Sequence, residues 1–276
     1  MNMKYLKIVS AAILIYAGSA FPWGKVGHAT VAYIAEKNLN SSTMDKIKPL
    51  LSGESLEDIS TWADDYKRNH RSTAPWHYIN LPVRQNVTIS DLSRYETSNG
   101  HHPDDNVISQ IEKDIKDLRT PNTSFRDKQV ALKYLVHFVG DLHMPLHIGD
   151  DNDKGGNEKK VRYFAPTSHS NKGHVTNLHS LWDNLIEIKA AEDPSALGNE
   201  LNRKISSAEK QKWKSGTIED WAIESYSVAK DEIYSALPSD ISLPKNYHSK
   251  MRPICDEQLE KAGVRLAKIL EDVFGK

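Results

Sequence analysis

The stretch HFVGDLHMPLH, residues 137 to 147, sets three histidines and an aspartate among apolar residues. His137 and Asp141 are four apart, so on a helix they stand one turn apart on the same face. His179 and Asp183, in NLHSLWD, repeat that spacing. His147 follows Pro145, where a helix must kink or end and the side chain can be re-aimed. Imidazole nitrogen and carboxylate oxygen are the ligands zinc accepts when thiolate is absent, and Cys255 is the only cysteine. Buried histidines and carboxylates are costly unless something pairs with them, and a metal ion pairs with several at once. One His–Asp pair at this spacing is more often a surface hydrogen-bonded pair than a metal site. The recurrence is more telling, because Asp64 in TWADDY, His77 in PWHYIN, and Trp23 and His28 in WGKVGH offer further donors beside tryptophan. His143, six residues from His137, points to another side of the helix and reads as structural. His70, His101, His102, His169, His174 and His248 sit in polar, loop-like contexts and read as solvated.

Helices must position most of these side chains. HATVAYIAEKNL (28–39) carries Val31, Ile34, Ala35 and Leu39 on one side. SLEDISTWADDYKRN opens with Ser55 and Asp58 in a capping-box arrangement. HPDDNVISQIEKDIKDLR starts with Pro103 and acidic residues and closes with Lys116 and Arg119, as a helix dipole favours. SFRDKQVALKYLVHFVGDLH predicts a long helix ended near Pro145, with others at about 176–190, 195–213, 217–235 and 251–274. WHYINLPV and EKKVRYFA could pair as a short ribbon, and no large sheet is expected. Loops occupy roughly 149–157 and 166–176. One mainly helical, all-α domain follows, with no linker or repeat to divide it.

The chain has 276 residues, 38% of them hydrophobic and 26% charged, as in an ordinary soluble domain. Its 36 basic and 37 acidic residues nearly cancel, so any phosphate binding must draw positive charge from something other than a basic surface. The N-terminus reads as an export signal: MNMKYLK supplies a short positive region and IVSAAILIYAGSA an apolar one ending in small residues. After Lys25 no second span is expected. Export without an intramolecular disulfide suggests a bacterial periplasmic or secreted protein stabilised by its core or by metal. Removal of residues 1–22 would turn the α-amino group of Trp23, with a pKa near ~8, into a further metal ligand.

With these segments together, the chain closely resembles the zinc-dependent single-strand nucleases of the S1/P1 family. The motifs WGKVGH, WAD, WHYIN, HFVGDLHMPLH, GGN and NLHSLWD stand in that family's order and span residues 23 to 183. The resemblance implies the helical phospholipase C/P1 nuclease fold over 23–276 and three zinc ions in a cleft. One ion would be bound by Asp64, His77, His137 and Asp141. A second would take the Trp23 amine and carbonyl, His28 and Asp141, which bridges the pair. A third would take His147, His179 and Asp183. Three divalent ions less three aspartates leave a local charge of about +3, enough to attract a phosphodiester.

The resemblance further implies cleavage of single-stranded DNA and RNA to 5′-phosphate products and 3′-nucleotidase activity; a monomer is expected. Zinc would supply an acidified water and electrophilic stabilisation of the leaving oxygen, with Asp64 orienting that water. Tyr78 offers a face for base stacking, although an ordinary strand aromatic is an equal reading. Asn80 and Asn157 fall where the family places polar groups for base or phosphate. The tryptophans at 62, 76 and 182 read as packing. One departure is Pro22 before Trp23, since signal peptidases prefer small residues at the cleavage point. The rival enzyme is a zinc-dependent phospholipase C of the same fold, and a reading of another class is a zinc-sequestering protein without catalysis.

Overall fold

A computed structural model describes residues 23–98, 105–165, 172–185 and 193–275. The export-signal segment 1–22, together with His101, His102 and His169, lies outside these described residues. The architecture is helical, with two two-stranded sheets among the described residues, in agreement with the all-α expectation.

Four long helices build the frame. α1 (Lys25–Asn38) packs along α13 (Tyr247–Phe274), and α7 (Phe125–Leu142) packs against α6 (Val107–Arg119). From α1, Val31, Ile34 and Ala35 are buried, as their spacing requires, and they meet Leu259, Ala262 and Leu266 of α13 in one core. α7 is amphipathic only in its first half: from Tyr134 to Leu142 every residue is buried. Ser124 caps α7 by accepting from the Asp127 amide at 3.1 Å. Around this frame stand α2 (Ser41–Leu51), α3 (Leu56–Ile59), α4 (Trp62–Asn69), α5 (Leu92–Ser98), α8 (Pro145–Ile148), α9 (Leu178–Asp183), α10 (Pro194–Lys204), α11 (Ser207–Trp213) and α12 (Ile218–Val228). α12 continues into a π-helical stretch, Ala229–Tyr234.

Several expectations need correction. The segment from Ser55 is two helices, not one: the Ser55–Asp58 capping box opens α3 as expected, but the chain breaks at Ser60 and Thr61 before α4. The break leaves the Ser60 carbonyl to accept from the ring of His137 on α7. The helix expected from Pro103 starts at Val107, capped by Asn106, whose side chain accepts from the amides of Ile108 and Ser109. The 195–213 helix divides at Ile205 and Ser206, where Ser206 and Glu209 form a second capping box.

The ribbon also pairs differently. Leu81–Pro82 (β1) runs parallel to Gly149–Asp150 (β2), while Lys160–Tyr163 (β3) pairs antiparallel with His174–Asn177 (β4). β1 is extended upstream by the Ile79 amide, which donates to the His147 carbonyl at 3.0 Å. The strand after His77 is therefore stitched to the segment after His147, which matters more to the site than a hairpin would. His248 is buried at 5% exposure, contrary to expectation, whereas His70 and His174 are exposed as expected.

Candidate metal centre

Asp141 in the last turn of α7 is the hub. His77, at the end of the 3-10 turn Arg71–His77, brings Nδ1 to 2.8 Å from Asp141 Oδ2. His137, one turn earlier on α7, holds Nε2 3.2 Å from the same oxygen. Asp64 of α4 completes this group, with Oδ1 3.8 Å from His77 Nδ1 and 3.7 Å from His137 Nε2. On the other side His28 of α1 sets Nε2 3.4 Å from Asp141 Oδ1, its ring stacked on His137 at 3.9 Å between centroids. That approach requires Gly140, because a Cβ there would stand 2.8 Å from His28 Nδ1.

The remaining candidate ligands gather beside the first group. His147 of α8 and His179 of α9 stack at 5.1 Å, and His179 Nε2 lies 3.8 Å from Asp183 Oδ1. Three groups result: His28, His137 and Asp141; Asp64, His77 and His137; and His147, His179 and Asp183. Within each, one ligand atom per residue lies within 4.8 Å of the others. All of these residues are buried, none more than 6% exposed. The groups adjoin, since His147 Nδ1 is 3.8 Å from Asp141 Oδ1.

These residues fit a cluster of zinc-type ions. Asp141 Oδ1, both ring nitrogens of His28 and Nε2 of His77 are buried without a hydrogen-bond partner, a cost that a ligated cation removes. Three rings are also held by their far nitrogen. His137 Nδ1 donates to Ser60 O at 2.8 Å, His147 Nδ1 to His77 O at 2.6 Å, and His179 Nδ1 to Gly155 O at 2.7 Å. Such bonds fix the tautomer and aim Nε2 at a metal. The donor set is nitrogen and oxygen, the set zinc takes in open catalytic sites.

The electrostatics agree. Burial lowers His77 to about 4, His147 to about 3 and His179 to about 4, so these rings are neutral at neutral pH, as ligation demands. Burial, then the neighbouring His137, lowers His28 as well. Burial pulls His137 down too, but Asp141 and Asp64 outweigh it and leave it raised. Against the same burial, His137 and His147 hold Asp141 well below the usual carboxylate range, and His137 and Lys67 hold Asp64 low.

Sequence reasoning overlooked Lys67. It stands one turn after Asp64, its Nζ is 2.6 Å from Asp64 Oδ1, and it keeps 18% of its side chain exposed at the site's edge. The signal was present as an i, i+3 charge pair. His143 is structural as expected: Nδ1 bonds Val139 O, and Nε2 accepts from the buried Arg265 of α13 at 3.0 Å. Tyr78 is half-buried in extended backbone at the end of the 3-10 turn, outside the core. Asn80 has a left-handed φ of 57°. Asn157 is exposed, and its amide donates to its own loop at Lys154 O. Trp23 is fully buried, with Nε1 donating to Gly140 O at 2.9 Å, while the next amide, Gly24 N, donates to Asp183 O at 2.9 Å. The chain at Trp23 is thus tied to two of the helices that carry candidate ligands, α7 and α9. Trp182 packs, donating to Tyr247 Oη at 3.0 Å.

Comparison with known proteins adds an independent line. The family model described as S1/P1 Nuclease matches residues 23–275. Nuclease S1 of Aspergillus oryzae (strain ATCC 42149 / RIB 40) is 31% identical over 295 residues, covering 98% of both chains. Endonuclease 2 of Arabidopsis thaliana is 28% identical over 296 residues, covering 99% of each. Nuclease P1 of Penicillium citrinum is 28% identical over 283 residues, covering 92% of this chain and 98% of its own.

Proposed function

The chain belongs to the S1/P1 nuclease family, a hydrolase of phosphodiester bonds in nucleic acid, and we propose that it is an exported zinc enzyme. In this reading it cuts single-stranded DNA and RNA internally, leaves 5′-phosphates, and also releases phosphate from 3′-nucleotides. The observation that carries it is the convergence of eight buried histidine and aspartate side chains into three adjoining groups.

The ligand sets follow from those groups. Asp64, His77, His137 and Asp141 hold one ion, and His147, His179 and Asp183 another. His28 and Asp141 hold a third with the Trp23 amine and carbonyl, which supposes removal of residues 1–22. The ties from Trp23 to Gly140 and from Gly24 to Asp183 support that placement of the new terminus. N-terminal sequencing should begin at Trp23; a retained Phe21 and Pro22 would refute this ligand.

When bound, the ions supply Lewis acidity toward phosphate and acidify water. The chain's own residues do the rest. Asp64 accepts a hydrogen bond from the attacking water and orients it. Lys67, already on Asp64, holds that carboxylate ionised and lends its charge to a phosphate oxygen. Tyr78 presents a ring face for a base, and Asn80 and Asn157 supply polar contacts. We assign the enzyme to the periplasm or the medium, as a monomer. Among the described residues no helix is long and apolar enough to cross a membrane.

The test is hydrolysis of single-stranded DNA by the mature protein in zinc buffer, with and without chelator. Chelator-sensitive cleavage leaving 5′-phosphates supports the assignment. No cleavage by zinc-loaded protein, with release of choline phosphate from phosphatidylcholine, would transfer the site to the phospholipase reading.

A further inference from the structure

We propose that Tyr234, 55 residues beyond His179 in the chain, is a positioning residue for the His147–His179–Asp183 metal group. The inference rests on the zinc reading above. It starts from the loop between β2 and β3, where Asn152, Lys154, Gly155 and Gly156 all take left-handed φ values, between 57° and 82°. Such a run is held only if its amides find acceptors. Asp150 Oδ1 accepts from the amides of Asp153 at 3.0 Å and Gly155 at 2.9 Å, and Asp153 Oδ1 accepts from the Gly156 amide at 2.7 Å.

The loop grips His179 at two points. The Gly155 carbonyl takes the ring Nδ1–H at 2.7 Å, and the Gly156 carbonyl takes the His179 amide at 3.3 Å. Gly155 cannot carry a side chain, because a Cβ would lie 2.1 Å from Leu146 O, beside the ligand His147. The direction of His179 Nε2 therefore depends on where this turn sits.

Tyr234 fixes the turn from outside. Its hydroxyl donates to Asp153 Oδ1 at 2.7 Å, the same oxygen that holds the Gly156 amide. It can do so because it ends the π-helical stretch after α12, whose wider turn shifts the side chain relative to an α-helical continuation. Ala229 at the start of that stretch abuts the loop's base, where a Cβ on Gly149 would come within 2.5 Å of it. The path runs from Tyr234 Oη through the Asp153 carboxylate to the Gly155–Gly156 turn and so to the His179 ring.

The experiment measures zinc per chain during titration with a chelator, in the mature wild-type protein and in Tyr234→Phe, which keeps the ring. Wild type should release its zinc in stages, and Tyr234→Phe should release one ion at about tenfold lower chelator, the scale of outer-shell effects. The other two should be unchanged. In a His179→Ala background, which lacks that site, Tyr234→Phe should release nothing further; a merely structural role would loosen the remaining ions as well. Asp153→Ala, which also takes the acceptor from the Gly156 amide, should release that ion at least as readily as Tyr234→Phe, and the double variant should be no worse than Asp153→Ala alone. Unchanged release in Tyr234→Phe, or loosening of all three ions together, overturns the proposal and leaves the zinc reading intact. A wild-type chain that takes up no zinc overturns both.

Discussion

Asp141 gives its two oxygens to different neighbours, Oδ2 to His77 and His137 and Oδ1 to His28. Asp141→Asn keeps the shape but replaces one oxygen by a donor that cannot ligate. Activity on single-stranded DNA should fall by more than about a thousandfold, with bound zinc reduced, as metal analysis would report. Full activity with unchanged zinc would sink the shared-ligand assignment. Lys67→Met tests the neighbour that spacing alone concealed: kcat/KM should drop by about a hundredfold while zinc content stays near that of wild type. The lowered histidines set a pH dependence with a definite sign. His77 and His179 titrate near about 4 and His147 near about 3 when folded, against 6.5 when unfolded. Between those values the unfolded chain binds protons that the folded chain refuses. The metal-free protein should therefore lose stability as pH falls from about 6.5 to about 4, by up to about 1.4 kcal/mol per pH unit for each ring. Urea unfolding at several pH values checks this; a flat profile would mean that the rings are not buried and neutral.

At the scale of elements, periodicity located α1, α6, α7, α10, α12 and α13 because each buries a stripe, and the stripe is written in the local sequence. It could not find the break at Ser60 and Thr61. The reason for that break is His137, 77 positions away, whose ring takes the Ser60 carbonyl. The pairing of β1 with β2 was illegible for a different reason, two residues on each side being too short to carry a pattern. The candidate ligands were legible because His and Asp at i, i+4 must share a helical face. Their anchors were not, since Ser60, His77 and Gly155 contribute backbone carbonyls, which every residue has. Arg265 shows how elements are locked behind the site. It donates to Trp213 O at 3.0 Å, to His143 Nε2 at 3.0 Å and to Glu224 at 2.6 Å, joining α11, α7, α12 and α13. Arg265→Met should destabilise the fold by about 2 kcal/mol, since it strands His143 and the Trp213 carbonyl. Denaturant titration measures that, and a neutral result would mean that solvent replaces the guanidinium.

For the whole molecule, the candidate ligand groups draw on segments spread between residues 28 and 183, while α13 contributes none and closes the bundle behind α1 and α7. An unfolded chain cannot assemble such a set, so bound ions must favour the folded state. Free zinc at a hundred times its dissociation constant adds about 2.7 kcal/mol for each site, and chelation should lower the melting temperature in differential scanning calorimetry. An unchanged melting temperature would remove the cluster from the folding balance. His77 gives its ring to one group of ligands and its own carbonyl to the ring of His147, which belongs to another. One residue is thus a hinge pin common to two docks. Berthing the first ion stills the backbone against which the second dock is aligned, so the docks should fill in a set order, the Asp64–His77–His137 dock before the His147 dock, and an uptake curve should rise in separate steps.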